Sequence, residues 1–366
     1  MKYLSLFSGI GSPEQALKNL GIKFELVGFS EIDKFAIKSY CKVHDVDESL
    51  NLGDITKIDI ESLPLDIDLI THGSPCQDFS VAGKGKGADE GTGTRSSLMW
   101  NTVAICEHCK PKYVIWENVK NVLSKKHRHN FDKYLDEMDR IGYNNFYQVL
   151  NAKDFGVPQN RERIFVVSIR KDLEQEFEFP IGFDNGIRLK DILEDEVEEK
   201  YYINTEKAEK LISEYKGELA IAHPIRSREF EGQGWKENCP TLCARDYKDP
   251  KNVIIKTSKR IGGLFDTEKS KHQAGSIWDT EGLAPTLDTM QGGYRQPCIV
   301  GSEYKIRKLT PKECWRLMGF KDEQFNKASE VCSNSQLYKQ AGNSIVVNVM
   351  EEIFKNIIKE GVKNEN

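Results

Sequence analysis

The chain has 366 residues, 39% hydrophobic and 30% charged. At roughly 150 residues per domain, that length suits two unequal domains. The apolar fraction supports a real core, which excludes a disordered or fibrous chain. Lys and Arg number 52 against 57 Asp and Glu, a formal net charge of -5. Taken alone, that total argues against a phosphate-rich partner. No apolar run approaches the ~20 residues needed to span a bilayer. The start, Met1 to Gly11, lacks the longer apolar core and cleavage site of a signal peptide. Nine cysteines, an odd number spread over a long chain, fit reduced thiols in a cytoplasm. Cys106 and Cys109 have metal-ligand spacing, but no second pair follows at zinc-site distance, so no metal is expected.

Taken in chain order, Tyr3 to Ser8 is a compact apolar run that predicts a buried strand. It closes on Ser8-Gly9-Ile10-Gly11-Ser12. Pro13 to Leu20 carries helix formers at helical spacing. Glu25 to Phe29 predicts a second strand, ending at Glu31, and Asp33 to Val43 a second helix. Ile67 to Thr71 is a short strand running into Gly73-Ser74-Pro75-Cys76. Tyr113 to Trp116 is a strand ending at Glu117-Asn118. Phe131 to Ile141 is an amphipathic helix, and Ile164 to Ile169 a strand. This alternation predicts an α/β fold: a parallel sheet with helices on both faces and ligands at the strands' carboxyl ends. Gly9, Glu31, Cys76 and Glu117 all fall at such ends.

After Phe183 the pattern changes. Gly, Pro and Thr rise, and helical periodicity survives over Asn204 to Tyr215. A weak repeat follows. Trp235, Pro240-Thr241-Leu242, Tyr247, Pro250 and Val253-Ile254 are echoed by Trp278, Pro285-Thr286-Leu287, Tyr294, Pro297 and Ile299-Val300. Two strand–loop–strand units with loops of unequal length are expected, or else two similar hairpins. From Gln340 a helical pattern returns.

Four constellations carry chemistry. Phe7-Ser8-Gly9-Ile10-Gly11 sits between strand and helix, where glycines let the backbone approach a ligand. Glu14 stands where a dinucleotide fingerprint needs its third glycine, so a pyrophosphate is disfavoured. Glu31 is placed to accept from ribose hydroxyls, and Asp54 to meet an amine such as an adenine N6. A nucleoside without phosphates fits, as does an ordinary tight turn. Cys76, in Pro75-Cys76-Gln77, precedes a glycine-rich stretch from Ser80 to Thr94 and reads as a thiolate nucleophile under a mobile lid, or as a small buried hydrophobe. Glu117 reads as a carboxyl whose pKa is raised in a closed site, with helix capping by Asn118 as the other reading. Arg161 and Arg163 alternate along an extended chain, toward a pocket or in a surface ion-pair cluster.

The order and spacing of these pieces resemble the cytosine-C5 DNA methyltransferase family. The match runs through Phe7-Ser8-Gly9-Ile10-Gly11, Pro75-Cys76-Gln77, Glu117-Asn118-Val119, Gln159-x-Arg161-x-Arg163 and Gly342-Asn343-Ser344. The block Arg307-Lys308-Leu309-Thr310-Pro311-Lys312-Glu313-Cys314 with Met318-Gly319-Phe320 is similar to that family as well. The resemblance covers about residues 1–175 and 305–355. It implies a Rossmann-like methyltransferase sheet, with 1–183 as the catalytic domain, 184–333 as a smaller, mostly β target-recognition domain and 334–366 as the returning helix.

The resemblance also implies S-adenosylmethionine as methyl donor and a flipped-out cytosine in a specific double-stranded DNA sequence as acceptor. Phe7 would stack on the adenine, Glu31 would hold the ribose, and Asp54 with Ile55 would flank the adenine. Gly9, Ile10, Gly11, Ile32, Pro75, Leu98, Asn343 and Ser344 match positions near the cofactor. Cys76 would attack C6, Glu117 would serve N3, Arg163 would hold O2, and Arg161 would support the pocket. Gln77 and Ser80 would face DNA, although Ala82 stands where some members have Ser. In the repeat region, Arg245, Tyr247 and Lys248 in one loop, and Gln291, Tyr294 and Arg295 in the other, are candidate readers of the bases. A cytoplasmic monomer of bacterial or phage origin is expected, either alongside a cognate restriction endonuclease in the same system, with no direct contact implied, or acting alone, for example on a phage genome. The alternatives are a tRNA cytosine-C5 methyltransferase and a catalytically silent DNA-binding relative.

The distribution of charge removes the objection raised by its total. Residues 172–199 hold eleven acidic and two basic side chains, a local sum of -9, which leaves +4 for the rest. Residues 80–170 hold fifteen basic and ten acidic. The acid is therefore concentrated in one connector, and the placement is compatible with a DNA-accepting cleft.

Overall fold

The structure is a computed structural model. It describes residues 1–74, 98–201, 260–264, 266–267, 276–278, 284–287, 296, 298–300 and 306–364. Its core is a six-stranded sheet of β1 (Lys2–Leu6), β2 (Glu25–Ser30), β3 (Leu69–His72), β4 (Tyr113–Val119), β5 (Tyr143–Asn151) and β6 (Glu162–Arg170), in the order β2-β1-β3-β4-β6-β5. β1 to β4 are parallel to one another, as the alternation predicts. β6 is not: it runs antiparallel to both β4 and β5. The wholly parallel expectation is corrected there, and the sheet is mixed. A parallel return needs a crossover of about a dozen residues or more. The 152–161 link holds only a 3-10 turn, Ala152–Asp154, so the chain folds straight back.

Both faces of the sheet are buried, because alternate residues on each strand point to opposite sides. Tyr3, Leu69, Ile115 and Val167 face one cluster, with Ala16 and Leu17 of α1 (Ser12–Asn19) and Ile353 of α8 (Val347–Asn364). Leu4, Ile70, Trp116 and Val166 face the other, with Val103 of α3 (Met99–Cys109) and Tyr134 of α4 (Arg128–Arg140). α2 (Lys34–His44) starts where Asp33 accepts from the Phe35 and Ala36 N–H groups, and its Tyr40 stacks on Phe29 of β2. Asx capping at N-termini satisfies otherwise orphaned donors.

The chain from Leu309 onward packs into the first cluster. α5 (Pro311–Arg316) opens with a capping box between Thr310 and Glu313, and its Trp315 donates to the Leu337 carbonyl. α6 (Asp322–Ser329) lies against α2, and α7 (Asn334–Asn343) against α5. A second sheet, in the order β10-β9-β8-β7, comprises β7 (Arg260–Gly263), β8 (Ser276–Trp278), β9 (Cys298–Val300) and β10 (Ile306–Lys308). β8 and β9, the flanks of the second repeat unit, pair in parallel, so that unit is not a hairpin. The first unit, and the helix expected over Asn204 to Tyr215, lie outside the described residues. No helix among the described residues is long and apolar enough to cross a membrane.

Candidate active site

One pocket opens at the carboxyl ends of β1, β3 and β4. It is lined by Phe7, Gly9 and Ile10 on one side and by Gly73, Glu117, Asn343 and Ser344 on the other.

The first wall is backbone. Just past β1, Phe7 adopts φ +54°, a left-handed conformation that costs a non-glycine residue roughly 1–2 kcal/mol. Gly9 follows at φ +56° and Gly11 at φ +77°. A Cβ at Gly9 would meet nothing within 4 Å, so the turn is open on its outer side. Its N–H donates to Glu31 Oε2 at 2.9 Å, while Glu31 Oε1 accepts from the Ile32 and Asp33 N–H groups at 2.8 Å each. Three backbone donors thus fix this carboxylate at the end of β2, with acceptor capacity left for hydroxyl groups. Asn51 locks the same corner. Its amide donates to the Glu31 carbonyl at 3.1 Å, and its Oδ1 accepts from Glu31 N at 3.2 Å and Gly53 N at 3.1 Å.

Ile32, beside Glu31, is 73% exposed. Phe7 and Leu98 pack, partly buried, on the cluster that holds Ile55. Asp54 accepts from Thr56 N and Oγ1, which holds its carboxyl below the usual range. An open glycine cradle, a fixed carboxylate and apolar side chains form a donor and contact set that fits the nucleoside part of S-adenosylmethionine.

The second wall is charged. Arg163 Nε lies 3.1 Å from Glu117 Oε1, and the Glu117 side chain is 12% exposed. Burial pushes the Glu117 carboxyl above its ordinary pKa, against the pull of the Arg163 and Arg161 charges. Arg161 is 4% exposed, so the surface-cluster reading fails for it. Its guanidinium donates to the carbonyls of Leu287 at 3.0 Å, Gly342 at 3.2 Å and Ser344 at 2.8 Å. Gln159 adds bonds to the Leu317 carbonyl at 2.8 Å and from Leu287 N at 3.1 Å. The segment 159–161 therefore joins the second Pro-Thr-Leu, the α7 terminus and the sheet. Ser344 closes the ring by a 2.6 Å hydroxyl contact with Ser12 of α1.

Asn118 caps no helix, because Val119 holds the N-cap position of the turn that follows. Instead its amide donates to the Ser74 carbonyl at 3.2 Å, and Trp116 Nε1 donates to Ser74 Oγ at 3.0 Å. Two β4 side chains thus hold Ser74, two positions ahead of Cys76 in the sequence.

The structure brings Phe7, Gly9, Ile10, Glu117, Asn343 and Ser344 to one pocket, with Arg163 against Glu117. Glu31 bonds to the glycine turn with Ile32 next to it in the chain, Ile55 and Leu98 share an apolar cluster with Phe7, and Asp54 bonds to Thr56. Gly11 faces the opposite way, toward His44. Pro75, Cys76, Gln77, Ser80, Arg245, Tyr247, Lys248, Gln291, Tyr294 and Arg295 lie outside the described residues. Sequence reasoning missed Asn51, Ser74 and His44, none of which stands out by residue type or spacing. Cys106 and Cys109 are buried thiols of α3, with burial pushing Cys109 up to about 11.

The model of the C-5 cytosine-specific DNA methylase family matches residues 1–359. The chain belongs to this family. It is 36% identical to the orphan methyltransferase M.SPBetaI of Bacillus phage SPbeta, over 100% of this chain and 99% of that protein. It is 32% identical to the type II methyltransferase M.HhaI of Haemophilus parahaemolyticus, over 98% and 94%. Among solved structures, S. pombe Dnmt2 methyltransferase superposes with a TM-score of 0.62 at 20% identity, covering 98% of each chain. That last likeness establishes a shared Rossmann-like methyltransferase fold.

Proposed function

We propose that this methylase-family protein transfers a methyl group from S-adenosylmethionine to C5 of a flipped-out cytosine in a specific double-stranded DNA sequence. The observation that carries the reading is Glu117, which lines the same pocket as the glycine turn and is paired with Arg163. Cytosine C5 is a poor nucleophile. Addition of the Cys76 thiolate to C6 turns C5 into an enamine carbon. Glu117, kept protonatable by burial, donates to N3 and offsets the charge that develops on the ring. Arg163 holds the O2 carbonyl, and Arg161 holds the walls together. S-adenosylmethionine, when bound, supplies an electrophilic methyl on a sulfonium. Once C5 has taken the methyl, its proton leaves to water, the electrons of that bond expel the thiolate from C6, and N3 returns its proton to Glu117, which restores the aromatic ring. These atoms are out of reach inside a stacked duplex, so the base must leave it.

For the cofactor, Phe7 meets the adenine face, Asp54 and Ile55 its edge, and Glu31 the ribose. Gly9, Ile10, Gly11, Ile32, Pro75, Leu98, Asn343 and Ser344 complete the site. The segment 184–333 reads the bases through Arg245, Tyr247, Lys248, Gln291, Tyr294 and Arg295, while Gln77 and Ser80 contact the DNA near the flipped base. We place the protein in the cytoplasm as a monomer. A Cys76→Ser protein should lose methyl transfer to duplex DNA while binding S-adenosylhomocysteine normally. Full turnover by that variant, or methylation of tRNA in preference to duplex DNA, overturns the assignment.

A further inference from the structure

Behind the glycine turn, away from the pocket, lies a buried polar array that the chemistry above does not use. His44, in the last turn of α2, is 5% exposed. Its Nε2 lies 2.9 Å from the Ile10 carbonyl. A carbonyl only accepts, so Nε2 carries the proton. Nδ1 is then the acceptor, and Lys18 of α1 supplies the donor at 3.3 Å; the same ammonium donates to the His44 carbonyl at 2.9 Å. Burial, reinforced by the Lys18 charge, brings the imidazole pKa down to about 3, so the ring is neutral.

The ring also fills the space behind Gly11, where a Cβ would come within 2.2 Å of Nε2. Tyr40 supports it from the side, with ring centroids 5.0 Å apart, and anchors its own hydroxyl on Glu14 at 2.8 Å. One neutral imidazole therefore bonds to the Ile10 carbonyl and abuts Gly11. Ile10 lines the pocket, whereas His44 does not.

We infer that His44 is a positioning residue for cofactor binding: its Nε2–H holds the Ile10 carbonyl so that the turn keeps the open shape that receives the nucleoside. His44 touches neither cofactor nor base, and it acts through the turn. The inference rests on the cofactor reading above. A histidine that merely fills the core would affect stability but leave the turn's affinity intact.

The test is calorimetric titration of S-adenosylhomocysteine into wild type, His44→Phe and His44→Gln, with steady-state kinetics alongside. Leaving the Ile10 carbonyl unpaired should raise the Kd, and the KM for S-adenosylmethionine, by about tenfold or more in His44→Phe. The kcat at saturating cofactor should stay within about threefold, and duplex-DNA affinity measured without cofactor should not move. His44→Gln keeps an N–H donor and should stay within about threefold of wild-type Kd. A folded His44→Phe protein with wild-type Kd overturns the inference. If that variant does not fold, Lys18→Met decides: losing the ammonium that fixes the tautomer should raise the Kd about threefold, and an unchanged Kd overturns the inference. Failure of wild type to bind S-adenosylhomocysteine would refute the cofactor reading instead.

Discussion

The two walls of the pocket are built on different principles. In the glycine-turn wall the Glu31 carboxylate is settled. Glu31 accepts three backbone N–H bonds, Asn51 closes the corner, and the neutral His44 holds the turn from behind. In the opposite wall the charges are in tension. Burial raises the Glu117 pKa while two guanidiniums lower it. A wall of satisfied backbone offers shape and fixed partial charges, and so governs affinity. A buried acid poised between opposing influences offers a proton, and so governs rate. Arg161 is the exception, because it bonds to the Ser344 carbonyl, and the Ser344 hydroxyl contacts Ser12 on the glycine-turn side.

The sharpest way to break this contrast is Glu117→Gln. If the carboxyl donates a proton in the rate-determining step, kcat should fall by about a hundredfold or more, with the Kd for S-adenosylhomocysteine unchanged. The pH profile supplies the sign. The acid form is the active one, and burial raises the pKa. Activity should therefore persist above the pH at which an ordinary glutamate has ionised, then decline as pH rises through the folded value. The alkaline limb should disappear in any residual activity of the Gln variant. A large change in cofactor affinity would mean that the walls are not separable.

Arg161→Met should produce the next largest effect, and on both sides. The variant leaves three carbonyls, of Leu287, Gly342 and Ser344, without their donor. A loss of about 2–4 kcal/mol in urea unfolding is expected. Cofactor Kd and kcat should worsen together, because Ser344 is tied to Ser12 on the glycine-turn side. Loss of only one of the two would place Arg161 in a single wall.

How much of this was legible in the sequence follows from the same contrast. β1, α1, β2 and α2 were readable because apolar periodicity and glycine placement are local signals, and the turn between them was found from Gly9 and Gly11 alone. The mixed sheet was not, because β5, Tyr-Asn-Asn-Phe-Tyr-Gln-Val-Leu-Asn, is polar on much of its length and half-exposed at the sheet edge. α3 is apolar almost all round and shows no amphipathic period. Glu117 and Arg163 each stand out singly in the sequence, but their 3.1 Å pairing depends on β4 and β6 lying side by side, a long-range fact. His44 is the extreme case. A histidine in the last turn of a surface helix reads as solvated, and only the packing of α2 behind Gly11 gives it a task.

The smallest predicted effect separates affinity from stability most cleanly. Ile32 is 73% exposed, next to the carboxylate that three N–H groups hold in place. An aliphatic side chain so exposed contributes little to folding, so truncation removes almost no buried area from the protein itself. If the nucleoside covers it, truncation removes buried area from the complex. At roughly 25 cal/mol per Å², losing some 40 Å² of covered surface costs about 1 kcal/mol, or a Kd raised about fivefold. Ile32→Ala should therefore show an unchanged melting temperature, an unchanged kcat at saturation and a weaker cofactor. A lower melting temperature with normal affinity would show that Ile32 packs within the fold. A fall in kcat at saturation would show that the glycine-turn wall also sets the rate, and the division of labour between the two walls would have to be abandoned.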